Sequence, residues 1–349
     1  MTAGVRRLWE AGDDETGCDM LMMAGLFGLL MVGMAVDFSG VVKSAEDDDE
    51  TAGGVEAEGA AATTPSIDGT PLAEAIRGSD EAEILAGGEA GDDIAGLAGD
   101  DQIGGYGGRD TLEGGEGADA IRGDGGDDDL AGEAGNDTLS GGDGADTLTG
   151  GMGDDLLAGA GGDDILSGGE GADSVVGGGG ADALIGGEGD DALEGGLGDD
   201  TLQGGPGQDT LMGGDGGDVL NGSQPGAGGT DTDTRDFLNG GRGDDTITPG
   251  QDDWVNGGEG ADTFVLHDWL AEGPETATID DYDPREDQLV IVYDPAVHPA
   301  PEVTVEPDPG TQDAVHVLID GAVIARVLGQ PGLAPGQIAL LAEAGAGVA

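Results

Sequence analysis

The chain has 349 residues, of which 77 are glycine and 3% aromatic, and its 75 acidic against 10 basic residues give a formal charge of -65 at pH 7. A nucleic-acid partner is excluded, because phosphate binding draws on Lys and Arg and the only lysine is Lys43. A disulfide-stapled fold is excluded too, since Cys18 is the only cysteine.

Residues 1–19 form an acidic segment with Asp13, Asp14, Glu15 and Asp19. Residues 20–36, MLMMAGLFGLLMVGMAV, are apolar and uncharged, which predicts a helix at the lower length limit for crossing a bilayer. The run lacks the basic approach and small-residue cleavage site of a secretory signal. It reads as a membrane anchor making membrane contact, as an atypical export signal, or as a buried core helix. Arg6 and Arg7 on one flank and Lys43 on the other leave its orientation open. Residues 37–78 read as an acidic, low-complexity linker with no room for an enzyme domain.

The next segment decides between disorder and order. Cut every nine residues from Gly88, the chain gives GEAGDDIAG, LAGDDQIGG, YGGRDTLEG and so on through fifteen blocks to Gly222 without a slip. The fifth position is always aspartate and the seventh always Leu, Ile or Val. Composition alone does not hold such a register, so the segment is a repeat array. The glycines supply turn positions open to positive φ, and the aliphatic suits a short strand with one inward side chain. Fixed-position carboxylates with nearby backbone carbonyls are the oxygen donors that calcium prefers.

This G-G-x-G-x-D-x-U-x pattern is that of the RTX, or hemolysin-type calcium-binding repeat, family, which the chain resembles over residues 79–266. The resemblance implies an all-β fold, a parallel β-roll with two nonapeptides per turn and multiple calcium ions between successive turns. Ligand aspartates then stack 18 residues apart in two columns. One runs Asp92, Asp110, Asp128, Asp146, Asp164, Asp182, Asp200, Asp218 and then Asp236. The other runs Asp101, Asp119, Asp137, Asp155, Asp173, Asp191 and Asp209, meets Ala227, and resumes at Asp245. The irregular stretch SQPGAGGTD keeps the phase while removing a ligand, which predicts a lost site on that column or a bulging loop. Asp253 sits in a block one residue short, and Asp262, with Phe264, closes the array. Acids beside the ligand positions, such as Asp93, Asp100, Asp154 and Asp163, read as solvated turn residues, and Tyr106 as a surface residue.

Residues 267–349 lose the glycine period and alternate apolar with polar in ATIDDY, DQLVIVY, EVTVEP, AVHVLID and AVIARVL. They predict a small antiparallel β domain capping the open end of the solenoid, a need of every repeat array. By the resemblance this part contains a signal for a type I ABC secretion system. His267, His298 and His316 have no second ligand at metal spacing.

No H-E-x-x-H, G-x-S-x-G or phosphate-loop motif occurs. The expectation is a non-catalytic calcium-binding protein, extracellular or at the cell surface, that folds on binding calcium after export. The 45 acids and four arginines of residues 79–266 leave a net charge of about -41 that opposes folding without a cation. The alternatives are a surface adhesin or surface-layer component, and an enzyme or toxin whose active site the motifs do not reveal.

Overall fold

A computed structural model describes residues 72–223, 235–268, 270 and 276–343. Residues 20–36 lie outside the described residues, so the expected N-terminal helix finds no support there. Among the described residues no helix is long and apolar enough to cross a membrane.

Each nonapeptide contributes one strand, and successive strands go alternately to two sheets, one of thirteen strands and one of fourteen. Neighbours within a sheet are therefore 18 residues apart and parallel, as in Leu166↔Leu184 in the first sheet and Leu157↔Val175 in the second. The ladder begins at Ala75–Arg77 and Ile84–Ala86, the first of these within residues read above as linker. Seventh-position side chains point between the sheets, and every one from Ile94 to Phe264 is at most 2% exposed. This row of single aliphatics is the whole apolar interior of the roll.

Glycine recurs for distinct steric reasons. At the third position the turns stack backbone on backbone: an ideal Cβ on Gly144 would lie 2.5 Å from the carbonyl carbon of Gly126, one turn earlier, and closer still to its oxygen. At the ninth position a Cβ on Gly96 would overlap the Asp101 carboxylate and lie 2.6 Å from the Gly114 carbonyl oxygen. The first position is less strict. Leu97, Tyr106, Asp124, Glu133 and Ala160 occupy it at φ between 73° and 92°, each accepting the left-handed strain of about 1 kcal/mol that glycine avoids. Tyr106 is 52% exposed, as its position in the block suggests.

The irregular stretch changes the register. Thr210–Asp215 pairs directly with Phe237–Arg242, so Thr210 faces Phe237, 27 residues on instead of 18. Nine residues drop out of the ladder and the columns exchange partners: Asp236 follows Asp209, and Asp245 follows Asp218. The expected column order is corrected accordingly. Among the described residues no turn has alanine at the ligand position.

The C-terminal part is not a separate antiparallel domain. Gln288–Tyr293 and Ile338–Ala342 extend the first sheet in parallel, and Ala277–Ile279 and Ala322–Leu328 extend the second. Among the described residues antiparallel pairing is confined to Val303–Pro307, Ala314–Ile319 and Ala322–Leu328 at the end of the second sheet. Apolar alternation reports which face is buried and carries no information on strand direction. The interior thickens here, with Tyr282 meeting Phe264 edge to face at 6.1 Å between centroids.

Candidate metal centre

Each fifth-position aspartate lies where the turn enters the strand, with its side chain under the ninth-position glycine that precedes it. All nineteen sequence-predicted ligands, Asp92 through Asp262, are at most 3% exposed. Most of an ordinary protein's aspartates are exposed, so such burial needs a compensating partner.

One carboxylate oxygen has that partner in the chain. The amide N–H of Asp92 donates to Oδ1 of Asp110 at 2.7 Å, and that of Asp110 to Oδ1 of Asp128 at 2.8 Å. The same bond recurs turn after turn, including the 27-residue steps and the 17-residue steps from Asp236 to Asp253 and from Asp245 to Asp262. Two columns of carboxylates result. Asp253, in the shortened block, takes its place in one of them.

The other oxygen is different. Oδ2 of Asp101, Asp110, Asp119, Asp128, Asp137, Asp146, Asp155, Asp164, Asp173, Asp182, Asp191, Asp200, Asp218 and Asp245 is buried and receives no hydrogen bond. A neighbouring-turn carbonyl points at the same spot, as Gly114 does beside Asp101. Among the described residues no three His, Cys, Asp or Glu side chains converge as an all-side-chain cage. The donor set is therefore carboxylate plus backbone carbonyl, which is oxygen-only chemistry suited to a hard cation.

Burial raises the carboxyl pKa of Asp101, Asp110, Asp119, Asp128, Asp137, Asp146, Asp155, Asp164, Asp173, Asp182, Asp191, Asp200, Asp218, Asp245 and Asp262, with the amide hydrogen bonds opposing the rise and neighbouring acids adding to it. Asp155 is pushed up to about 7, and Asp128, Asp137, Asp164, Asp191, Asp200 and Asp245 to about 6. A folded roll without metal holds protons that the unfolded chain, at the ordinary 3.8, releases. Its proton-linked stability is thus fully present below 3.8 and is lost as pH rises through about 6 to 7. In chelator, the β circular dichroism is expected to be larger at pH 4 than at pH 7.5, and equal signals would refute the assignment.

Sequence reasoning missed several members of these columns. Glu83 stands 18 residues before Asp101 and its N–H donates to Asp101 Oδ1, a relation that counting back one turn exposes. Asp287 receives the Asp262 N–H across 25 residues, a spacing that no period announces. Asp281 accepts the amides of both Gly257 and Gly258. The acids read as solvated are exposed, yet Asp100, Asp154 and Asp163 also accept the N–H of Ala118, Ala172 and Ala181 on the next turn. They satisfy turn amides that the strands leave unpaired. His298, by contrast, pairs with Asp320, and His316 lies 3.9 Å from Asp308.

The RTX calcium-binding nonapeptide repeat matches the chain in eight segments, seven overlapping ones that cover residues 77–220 and a separate one over 230–264. The chain belongs to the RTX calcium-binding nonapeptide repeat family. A comparison with curated proteins finds no match. RTX repeats bind several calcium ions per array, and the two carboxylate columns with their orphaned oxygens are where this RTX chain has the donors for them. The residues present fit the ion: the charge is negative, the donors are oxygens, and ninth-position glycines keep the space beside each carboxylate free of side chain.

Proposed function

We propose that this RTX chain is an exported or surface-displayed, non-catalytic calcium-responsive roll, folding where calcium is plentiful and staying unfolded where it is scarce. The observation that carries the reading is the run of buried Oδ2 atoms without donors. A column of desolvated like charges opposes folding until cations lie along it. The ligands on this reading are Asp92, Asp101, Asp110, Asp119, Asp128, Asp137, Asp146, Asp155, Asp164, Asp173, Asp182, Asp191, Asp200, Asp209, Asp218, Asp236, Asp245, Asp253 and Asp262, with turn carbonyls completing each shell. Calcium supplies positive charge there, and the chain supplies the spacing. Affinities on the order of 10⁻⁴ to 10⁻³ M, those of extracellular modules, place the transition between cytosolic and external calcium. Passage through a type I exporter suits a chain that remains unfolded inside, and residues 20–36 would set whether it is released or retained at the membrane.

Two measurements test this together. Equilibrium dialysis should show Asp155→Ala binding at least one calcium ion fewer than the parent, with the loss restricted to turns around Asp155. Cell fractionation should place the full chain in the medium or on the outer surface. Unchanged stoichiometry across several such variants refutes the ligand assignment, and a folded cytosolic pool refutes the gating.

A further inference from the structure

The outer face of the second sheet carries a feature that calcium binding does not use. Sixth and eighth positions point outward, and on the strands from Thr138 to Asn256 they carry a single charged side chain, Glu194, in a protein of charge -65. Near the end of the array this face gathers two aromatics. Phe237 and Trp254 stand in register on neighbouring strands, Phe237–Arg242 and Trp254–Glu259. Both rings are partly exposed. Beside them runs a shallow groove of about 660 Å³ lined by Gly214, Gly241 and Gly258, by Asn239 and Asn256, and by Arg242 together with the acids Glu194, Asp215 and Glu259, so that the groove itself is net negative.

The site is positioned by hydrogen bonds. Trp254 Nε1 donates to Asp280 Oδ2 at 3.1 Å and Asn256 Nδ2 to Asp280 Oδ1 at 2.9 Å, which fixes the indole and directs the Asn256 carbonyl oxygen away from Asp280. Arg242 is held by Asp215 at 2.9 Å with Glu259 at 3.8 Å, so its charge is balanced and its remaining N–H groups are donors without a net attraction for anions. Apolar rings next to amide donors and acceptors, beside a groove lined in part by glycine, match a ligand that alternates C–H faces with hydroxyl groups. The strongly negative remainder of the molecule repels polyanions and anionic membranes. We propose that this face, from Phe237 to Glu259, binds a neutral polysaccharide chain laid across the strands.

The test is affinity electrophoresis of the calcium-loaded full chain in native gels containing hydroxyethylcellulose, laminarin or dextran, with alginate as the polyanion. Retardation by at least one neutral glucan is expected, weakened about ten-fold in Trp254→Ala and in Asn239→Ala. Ile165→Ala, on the outer face of the other sheet, should migrate as the parent does. Calcium-dependent circular dichroism on each variant separates a lost glycan site from a lost roll, and Asn239, being exposed, is a substitution that leaves packing intact. No retardation by any neutral glucan overturns the proposal, as does retardation that both variants retain or that alginate alone produces.

Discussion

Chelation of calcium from the folded protein at pH 7.5 is expected to abolish most of its β circular dichroism, and re-addition of calcium, but not of magnesium, to restore it. Adjacent carboxylates in a column are separated by about one strand spacing, roughly 4.8 Å. At an effective dielectric of about 20, two unit charges that far apart repel by about 3 kcal/mol. Each column repeats this repulsion along its length, while each turn adds one buried aliphatic per nonapeptide to oppose it. Magnesium fails because it keeps its water and demands a smaller, octahedral shell, whereas calcium accepts the irregular mixture of carboxylate and carbonyl oxygens that stacked turns provide. A β signal indifferent to chelator would refute the calcium-gated fold.

Gly144→Ala should be among the most damaging single substitutions in the array. The added methyl collides with the Gly126 carbonyl of the preceding turn, at a residue whose φ of 145° is itself unsuited to alanine. Left-handed strain and overpacking together suggest a cost of about 3 kcal/mol. Because each turn contacts only its neighbours, the damage severs the array instead of weakening it uniformly. The calcium titration is then expected to split into two transitions, and limited proteolysis to cut near Gly144. Asp143→Ala, at the exposed position next door, should behave as the parent. A single unshifted transition in Gly144→Ala would contradict the stacking.

The repeat was legible because its period is tied to chemistry at every position: Asp for the column, an aliphatic for the interior, glycine where turns touch. Hence all nineteen predicted aspartates are buried together. The exchange of columns after Asp209 and Asp218 was not legible, because SQPGAGGTD is nine residues long and preserves the phase whether it forms a turn or drops out. Asp287 escaped notice for the opposite reason, since the chain between it and Asp262 breaks the period while the ladder continues. The strand direction of Gln288–Tyr293 lay beyond reach too, because pairing partners 25 residues apart leave no trace in local alternation.

The amide-to-carboxylate ladder runs in one direction, each turn donating its N–H to the carboxylate of the turn that follows. Its two ends are therefore chemically unlike, as the ends of an actin filament are. At the C-terminal end Asp287 already has one oxygen fixed by the Asp283 amide of its own loop, presenting the other as a ready-made acceptor for the first turn to dock. At the opposite end Glu83 offers only a donor in that role, its carboxylate being engaged by Ser79. The C-terminal end thus presents an acceptor to the turn that stacks on it, and the N-terminal end a donor. An array built this way can gain or lose whole 18-residue turns in its interior without any new kind of contact, so its length is free to vary while both ends stay fixed.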